Sequence, residues 1–360
     1  MSHQDRIKNI LLFYGGVSSE HEISCISAAF LEEKIVEAGF AVRPVYVTRE
    51  ASWHLQPRVE TIPAKNVINP CYINEKKQLV DSAQRSFSAD FIFPIIHGTM
   101  GEDGAIQGFC EFMSIPYAGV GLDVSAICMD KRFMRMFFAQ HQVPQVRYIS
   151  LSRNEFQKQR IEVLKKIEDE FELPLFTKPC NMGSSVGVFK VSDFSKLQNA
   201  IEKSFEFDRT ILIEQGAAVR EVEIAIMGSY RDYQLSAIGE IVPNHEFYSY
   251  EAKYEDMNGA ELIIGADIEN STKKEIERIT LKVFSALGAE GFARVDFFVL
   301  KKSGKVLLNE VNTLPGFTSI SMFPKLFEAA GVSAAEAVKE IINIGIDRHF
   351  SRSQIKRTHK

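Results

Sequence analysis

The stretch from Asn309 to Pro324 constrains this chain most. It reads Asn-Glu-Val-Asn-Thr-Leu-Pro-Gly-Phe-Thr-Ser-Ile-Ser-Met-Phe-Pro and follows a short apolar run, Val306 to Leu308, of the kind that forms a buried strand. Glu310 and Asn312 are two residues apart, and in a strand that spacing puts both side chains on one face. Asp296 lies on the preceding strand-like run, and a turn at Lys302-Ser303-Gly304 folds the two runs into a hairpin that brings Arg294, Asp296, Glu310 and Asn312 together. A few carboxylate and amide oxygens side by side suit a hard cation such as Mg2+, which fills its octahedron with substrate phosphates. The same residues also suit a plain strand end, because Asn and Pro-Gly are common turn formers.

Composition narrows the class. A chain of 360 residues, 45% hydrophobic and 25% charged, is long enough for two or three domains with separate cores. The net charge of −5 argues against a general nucleic-acid binder, and the basic end from Arg348 to Lys360 reads as a solvated tail. Met1 to Asn9 is polar and no apolar run reaches membrane-spanning length, so a cytoplasmic protein without membrane partners is expected. Five cysteines without a C-x-x-C pair indicate neither a disulfide framework nor a zinc site.

The chain opens as an α/β unit. Ile7 to Tyr14 is apolar and ends in Gly15-Gly16; Ser19-Glu20-His21-Glu22 has the pattern of a capping box. Ile23, Ile26, Phe30, Leu31 and Ile35 then recur at helical spacing, Gly39 ends the helix, and Val42 to Val47 is the next strand. A glycine-rich first turn after a strand is a binding position, but the dinucleotide fingerprint is absent, which argues against a nicotinamide-dependent dehydrogenase. Phe91 to Ile96 runs into His97-Gly98-Thr99-Met100-Gly101-Glu102-Asp103-Gly104, a loop rich in glycine and titratable residues. Ala105 to Met113 and Lys131 to Gln140 read as helices and Ile115 to Ala118 as a strand, so the first domain closes near Asp130.

A second layer follows, with one charged helix from Glu155 to Phe171 and a strand from Leu175 to Lys178. Gly183-Ser184-Ser185-Val186-Gly187 then leads into a strand at Val188 to Val191. Strand, Gly-Ser loop, strand makes a hairpin whose amides can wrap a phosphate, and it also describes an ordinary mobile hairpin. A Walker A motif is absent. Thr210 to Glu214, Glu221 to Met227 and Gln234 to Val242 suggest a mainly antiparallel sheet in the last domain. Pro243 to Gly259 is polar, aromatic-rich and long for a connection, which suits a lid. Thr272 to Leu287 is an amphipathic helix, and Ala334 to Ile344 closes the chain.

Taken together these segments resemble the D-alanine:D-alanine ligase family of the ATP-grasp superfamily. The likeness runs from Gly15-Gly16-Val17-Ser18-Ser19-Glu20 through His97-Gly98, Gly101-Glu102-Asp103-Gly104, Met129-Asp130-Lys131 and Lys178-Pro179 to the Gly183–Gly187 loop. It continues through Glu251-Ala252-Lys253-Tyr254 and Ala293-Arg294-Val295-Asp296 to Asn309–Met322. It implies an α/β protein, α+β toward its C-terminus, of three parts: 1–130, 131–217 and 218–360. It also implies a reaction: ATP phosphorylates the carboxylate of one D-alanine, and the amine of a second attacks the acyl phosphate.

The resemblance assigns residues to that chemistry. Lys131, Lys178, Gly183, Ser184, Ser185 and Lys253 would hold the phosphates, with Glu214 at the adenine and Glu221 on the ribose. Asp296, Glu310 and Asn312 would hold two Mg2+ ions, with Mn2+ as a substitute. Arg294 and the Gly316 amide would stabilise developing charge. Glu20 would take the ammonium of the first D-alanine and His97 would lie near its carboxylate; Ser321 with Met322 would receive the second D-alanine. Tyr254 would close the lid toward Ser184 and Glu20. The family likeness also favours a homodimer. D-Serine or D-lactate as acceptor, and a catalytically silent ATP-binding relative, are the other readings; the lid sequence argues against lactate.

Overall fold

The first strand is buried along nearly its whole length, and its side chains alternate between two cores: Ile10, Leu12 and Tyr14 face one, Leu11 and Phe13 the other. Burial on both faces is the mark of a central parallel strand. The structure, a computed structural model, describes residues 7–62, 69–230, 232–243 and 260–356. In chain order the first sheet and its neighbours are β1 (Asn9–Gly15), α1 (His21–Glu37), β2 (Ala41–Val47), β3 (Trp53–Leu55), a small antiparallel meander of β4 (Cys71–Ile73), β5 (Gln78–Asp81) and β6 (Ser86–Ser88), then β7 (Phe91–Pro94) and α2 (Ala105–Met113). The sheet order is β3-β2-β1-β7, with β2 and β7 parallel to β1.

Local structure departs from expectation at three points here. Helix α1 has no side-chain cap: Glu20 occupies the N-cap, its carboxylate is turned toward the site, and the backbone N–H of Glu20 donates to Ser18 Oγ at 3.1 Å. The face that α1 buries is made of small residues, Ser24, Cys25, Ser27 and Ala28 with Leu31 and Ile35, whereas Ile26 points outward. Ile115 to Ala118 forms only a bridge to Ile92, through Ile92 N–H to Pro116 O at 2.9 Å and Ala118 N–H to Ile92 O at 3.0 Å.

Two helices follow, α3 (Leu122–Met129) and α4 (Lys131–Gln140), and then the elements of the second sheet. These are β8 (Tyr148–Ser152), α5 (Arg153–Lys158), α6 (Arg160–Glu170), β9 (Leu175–Pro179), β10 (Phe189–Val191), α7 (Leu197–Phe207) and β11 (Thr210–Gln215). The expected single helix from Glu155 to Phe171 is thus broken at Gln159, which leaves helical geometry at φ −130°. The order is β10-β9-β11-β8, antiparallel throughout. Strand β11 therefore belongs to this sheet, not to the later one with which the sequence reading grouped it; its partners β9 and β8 precede it in the chain.

The third sheet has the order β14-β13-β12-β15-β16, from β12 (Val219–Ser229), β13 (Asp232–Pro243), β14 (Ala260–Ile264), β15 (Gly291–Leu300) and β16 (Val306–Asn312). Among the described residues three further helices follow β13: α8 (Asn270–Leu287), α9 (Met322–Ala329) and α10 (Ala334–Ser353). One face of the sheet, with Ile224, Ile226 and Val295, packs on α3, α4 and α8. The other, with Ala225, Met227 and Phe292, packs on Phe317, on Phe323 and Phe327 of α9, and on α10, in the same core that covers β1. Helices α3 and α4, on either side of the boundary expected near Asp130, share one core with the third sheet.

The basic run expected to be a solvated tail from Arg348 onward starts inside the fold, whereas Ser353 to Lys356 are exposed as expected. Helix α10 continues past Ile344 to Ser353, and Arg348 is 4% exposed. Its guanidinium donates to the carbonyls of Gly119, Glu290 (2.6 Å) and Tyr117 (2.9 Å), and Arg352 pairs with Glu111 at 2.5 Å. The residues expected to form the lid, including Lys253 and Tyr254, lie outside the described residues apart from Pro243.

Candidate active site

Strands β15 and β16 supply the floor. Asp296 lies opposite Glu310 and Arg294 opposite Asn312, but Phe297 lies opposite Leu308, so Asn309 is an extra residue that bulges β16. A bulge of this kind re-aims side chains beside a site, and here Asn309 and Glu310 both line the same cleft. The Arg294 guanidinium donates to both Asp296 oxygens, at 2.7 and 2.8 Å, and its Nε lies 2.8 Å from Glu223 Oε2 on β12. Burial alone would weaken Arg294 as a cation; the Asp296 and Glu223 carboxylates outweigh it and hold its pKa well above the ordinary value. Asn312 Nδ2 donates to Asp296 Oδ2 at 2.9 Å.

The donor set fits a hard cation that keeps exogenous ligands. Asp296 and Glu310 are cross-strand neighbours and Asn312 adds an amide oxygen, while among the described residues no group of three or more His, Cys, Asp or Glu forms a protein-only cage. That is the pattern of an ion shared with substrate phosphates. Asp296 would exchange its hydrogen bonds with Arg294 and Asn312 for such an ion.

The β9–β10 hairpin forms the roof. Lys178 Nζ on β9 is 2.6 Å from Glu214 Oε2, and Arg135 Nη2 on α4 is 2.5 Å from Glu214 Oε1. Glu214 is 2% exposed; burial would raise its carboxyl, but the Arg135 and Lys178 cations hold it at about 2. Its side chain is thus committed to those two cations, and the turn after it, Gly216 to Ala218, lines the cleft together with Glu221 and Phe298. Lys131 Nζ donates to Met182 O at 2.9 Å and lies 3.5 Å from Glu310 Oε2, tying roof to floor. In the loop, Ser184 and Ser185 take left-handed φ of 53° and 61°, a conformation uncommon for non-glycine residues.

Ser184 Oγ donates to Glu20 Oε1. Glu20 is flanked by two glycines, because a Cβ on either Gly98 or Gly183 would come within 2.9 Å of Glu20 Oε2. Beside it Glu102 accepts from the Gly98 N–H at 2.9 Å; burial, and then the Glu20 charge, push its carboxyl up to about 8. His97 is 3% exposed, with Nδ1 3.0 Å from Leu314 O and Nε2 2.9 Å from Ser27 Oγ, and burial lowers its pKa. Both ring nitrogens therefore have protein partners, although the residue borders the cleft shared by Glu20, Arg294, Asn312, Gly316 and Ser321.

Where the cleft meets α9, Ser321 is the N-cap residue, and its Oγ accepts from the Thr318 N–H at 3.0 Å. A Cβ on Gly316 would meet that Oγ at 3.0 Å, so the loop is drawn tight around Ser321. Met322 is buried with its methyl against Gly239. Of the residues expected at the site, Lys253 and Tyr254 lie outside the described residues; the others line three adjoining pockets between the roof, the floor and the first sheet, which share lining residues such as Lys178, Glu221, Arg294 and Glu310. The sequence reading did not single out Glu223, Ser27 or Arg135. Glu223 had a visible signal, its spacing of two from Glu221 on an evident strand; the other two had none beyond helical periodicity.

Comparison with known proteins identifies the family and the fold. Residues 9–120 match the family described as D-ala D-ala ligase N-terminus, and residues 137–343 match D-ala D-ala ligase C-terminus. A protein of Bacillus cytotoxicus named D-alanine--D-alanine ligase is 40% identical over 357 residues, covering 96% of this chain and 98% of the relative. Among solved structures, the D-alanine-D-alanine ligase of Coxiella burnetii matches with TM-score 0.83 at 30% identity, covering 96% of this chain and 97% of that one. The VanG D-Ala:D-Ser ligase of Enterococcus faecalis matches with TM-score 0.83 at 30% identity, covering 94% and 100%. With both halves matched and the ATP-grasp fold shared, the chain belongs to the D-alanine:D-alanine ligase family.

Proposed function

We infer that this chain joins two D-alanines at the expense of ATP, in the synthesis of peptidoglycan precursor. The observation that supports it most is the convergence of Glu20, Ser184, Arg294, Asn312, Gly316 and Ser321 on one cleft, drawn from the first sheet, the hairpin and the floor. The Glu20 carboxylate offers a partner to the ammonium of the first D-alanine, and its bond from Ser184 fixes the phosphate loop at the same point. A carboxylate oxygen of that D-alanine attacks the γ-phosphorus and ADP leaves. Lys131 and Lys178 offset the phosphate charge, and Arg294 faces the transferring group as a fixed cation. Mg2+ held by Asp296, Glu310 and Asn312 would neutralise phosphate oxygens. The second amine then attacks the acyl carbon and phosphate leaves; the Gly316 amide lies beside Ser321, where the acceptor carboxylate is received at the start of α9.

Glu221 at the cleft wall takes the ribose, the turn after Glu214 borders the adenine, and His97 borders the first substrate. Ser185, Lys253 and Tyr254 complete the phosphate and lid contacts. D-alanine is the proposed acceptor on the strength of a relative named D-alanine--D-alanine ligase at 40% identity; the D-alanine-D-alanine and D-Ala:D-Ser ligase structures, both 30% identical with TM-score 0.83, do not separate D-alanine from D-serine. The deciding assay measures ADP release with D-alanine, D-serine or D-lactate and identifies the product by mass; no D-alanine-dependent release would sink the reading. No described helix is long and apolar enough to cross a membrane, in keeping with action in the cytoplasm on small molecules. A homodimer is the proposed assembly, with light scattering as its check.

A further inference from the structure

His97 sits where three segments meet. It follows β7, its ring lies against Ser27 of α1, and it reaches Leu314 in the loop after β16. A carbonyl only accepts, so the bond of Nδ1 to Leu314 O requires the proton on Nδ1. Burial favours the neutral ring, in which Nε2 is then the acceptor and Ser27 Oγ donates to it across 2.9 Å. With its proton so used, Ser27 Oγ presents its lone pairs to the Phe317 N–H, which donates to it at 3.4 Å. The His97 backbone is fixed as well, because Ser18 Oγ donates to its carbonyl at 2.6 Å. Ser27 is fully buried and His97 nearly so, and a buried polar group that loses its partner is costly. The network therefore admits one proton arrangement and one loop position.

That loop position is the acceptor half of the site. Leu314 and Phe317 bracket Gly316, and Gly316 closes on Ser321. We propose that Ser27 is a positioning residue for the acceptor subsite: by donating to His97 it fixes the Nδ1–H form of the ring, and the ring and Ser27 together hold the loop from Leu314 to Ser321 at a set distance from Glu20. This rests on the acceptor reading of Gly316 and Ser321. Ser27 touches no substrate; it acts through His97 and the loop. In its absence Nε2 loses its donor, the ring is free to move its proton to Nε2, and the Leu314 carbonyl and Phe317 amide lose their anchors.

Two measurements test this on the full chain. In the unaltered protein, 15N-labelled histidine should show one imidazole locked in the Nδ1–H form, lost in His97→Gln; an Nε2–H form at His97 overturns the proposal whatever the enzyme's activity. In Ser27→Ala, initial rates over a wide D-alanine range should give an acceptor KM raised about 10-fold or more, as expected for one lost anchoring hydrogen bond. The donor KM should rise less than the acceptor KM, because His97 also borders the first substrate, and the ATP KM should stay within about 2-fold. A folded Ser27→Ala with an unchanged acceptor KM overturns the proposal, as does an equal rise in all three. Should that variant not fold, Ser27→Cys, a weak donor of similar size, is expected to raise the acceptor KM by a smaller factor; no change there overturns it equally. Absence of D-alanine-dependent ADP release in the unaltered protein would refute the ligase reading and leave the tautomer result standing.

Discussion

Glu20 is held from three directions: Ser184 donates to it, and the backbones at Gly98 and Gly183 approach it so closely that neither has room for a methyl group. At Gly183 the argument is one of space alone, since a Cβ there would lie 2.9 Å from Glu20 Oε2. Gly183→Ala should therefore shift the carboxylate by a few tenths of an ångström. It is expected to lower kcat/KM for the first D-alanine by about 10-fold, less than the ~10²-fold that a misplacement of about 1 Å can cost. The melting temperature should barely change, and steady-state kinetics beside thermal melts would check this. Glu102, close to Glu20, predicts a pH effect. Its carboxyl titrates at about 8 in the fold and near its ordinary 4.5 in the unfolded chain, so between those values the fold holds a proton that the unfolded chain has released. Stability must then fall as pH rises from about 4.5 to about 8 and level off above. Glu102→Gln removes this dependence. Between pH 5 and 8 its melting temperature should decline less than that of the unaltered protein, by about 2–4 °C for each kcal/mol involved; identical slopes would show that Glu102 is ionised in the fold.

At the scale of elements, the C-terminal helix illustrates how far a segment's role can lie from its local composition. Arg348 is a buried cation whose partners are three carbonyls, at Tyr117, Gly119 and Glu290, and it stacks over the Tyr117 ring at 4.3 Å. It thereby pins α10 to the chain leaving the first sheet and to the start of β15. Arg348→Met keeps the apolar stem but leaves the carbonyls without their donor. A loss of roughly 2–4 kcal/mol is expected from the unsatisfied carbonyls, read as a lower denaturation midpoint; a loss under about 1 kcal/mol would mean that water replaces the guanidinium. In the sequence Arg348 opens a run of basic residues and reads as solvent-facing, because its partners are separated from it by 58 to 231 positions. The same limit explains β11: its apolar run is evident, but which sheet it joins is decided by distant partners. By contrast α2 and α4 were legible to the residue, since helical periodicity and the Asp130 cap are local. Helix α1 was legible as a helix but not by its buried face, where serine, cysteine and alanine allow close approach and Ile26 is left outside. At the site, Glu310 and Asn312 could be placed on one face from their spacing, whereas Ser27 and Arg135 had to be seen against residues 70 and more positions away.

For the whole molecule, the central question is what sets the opening between the second and third sheets, where the nucleotide is proposed to lie. One buried cluster spans it: Glu214 on β11 receives Lys178 from β9 and Arg135 from α4, and Arg135 also donates to Leu308 O on β16 at 2.9 Å. The Leu308 N–H donates in turn to Pro144 O at 2.8 Å, at the approach to β8. Glu214 is therefore a brace between two sheets as well as a neighbour of the proposed adenine pocket, and the two roles predict different results for Glu214→Gln. As a brace, its loss leaves two buried cations facing each other without a carboxylate, and stability should drop by roughly 3–5 kcal/mol. The pH profile should change too. The carboxyl is held at about 2 in the fold, so its contribution is complete above the ordinary 4.5 and disappears as pH falls toward 2. The acid loss of stability below pH 4.5 should be shallower in the variant. A non-hydrolysable ATP analogue at 100 times its Kd stabilises the unaltered protein by about 2.7 kcal/mol. At the same analogue concentration the braced reading predicts a smaller gain for the variant, with the preference for adenine over guanine analogues unchanged, because the cleft has widened without losing a contact to the base. A direct contact with adenine predicts the reverse: near-normal stability without nucleotide and a collapsed preference for adenine. Thermal melts with both analogues, at pH 7 and pH 4, separate the two.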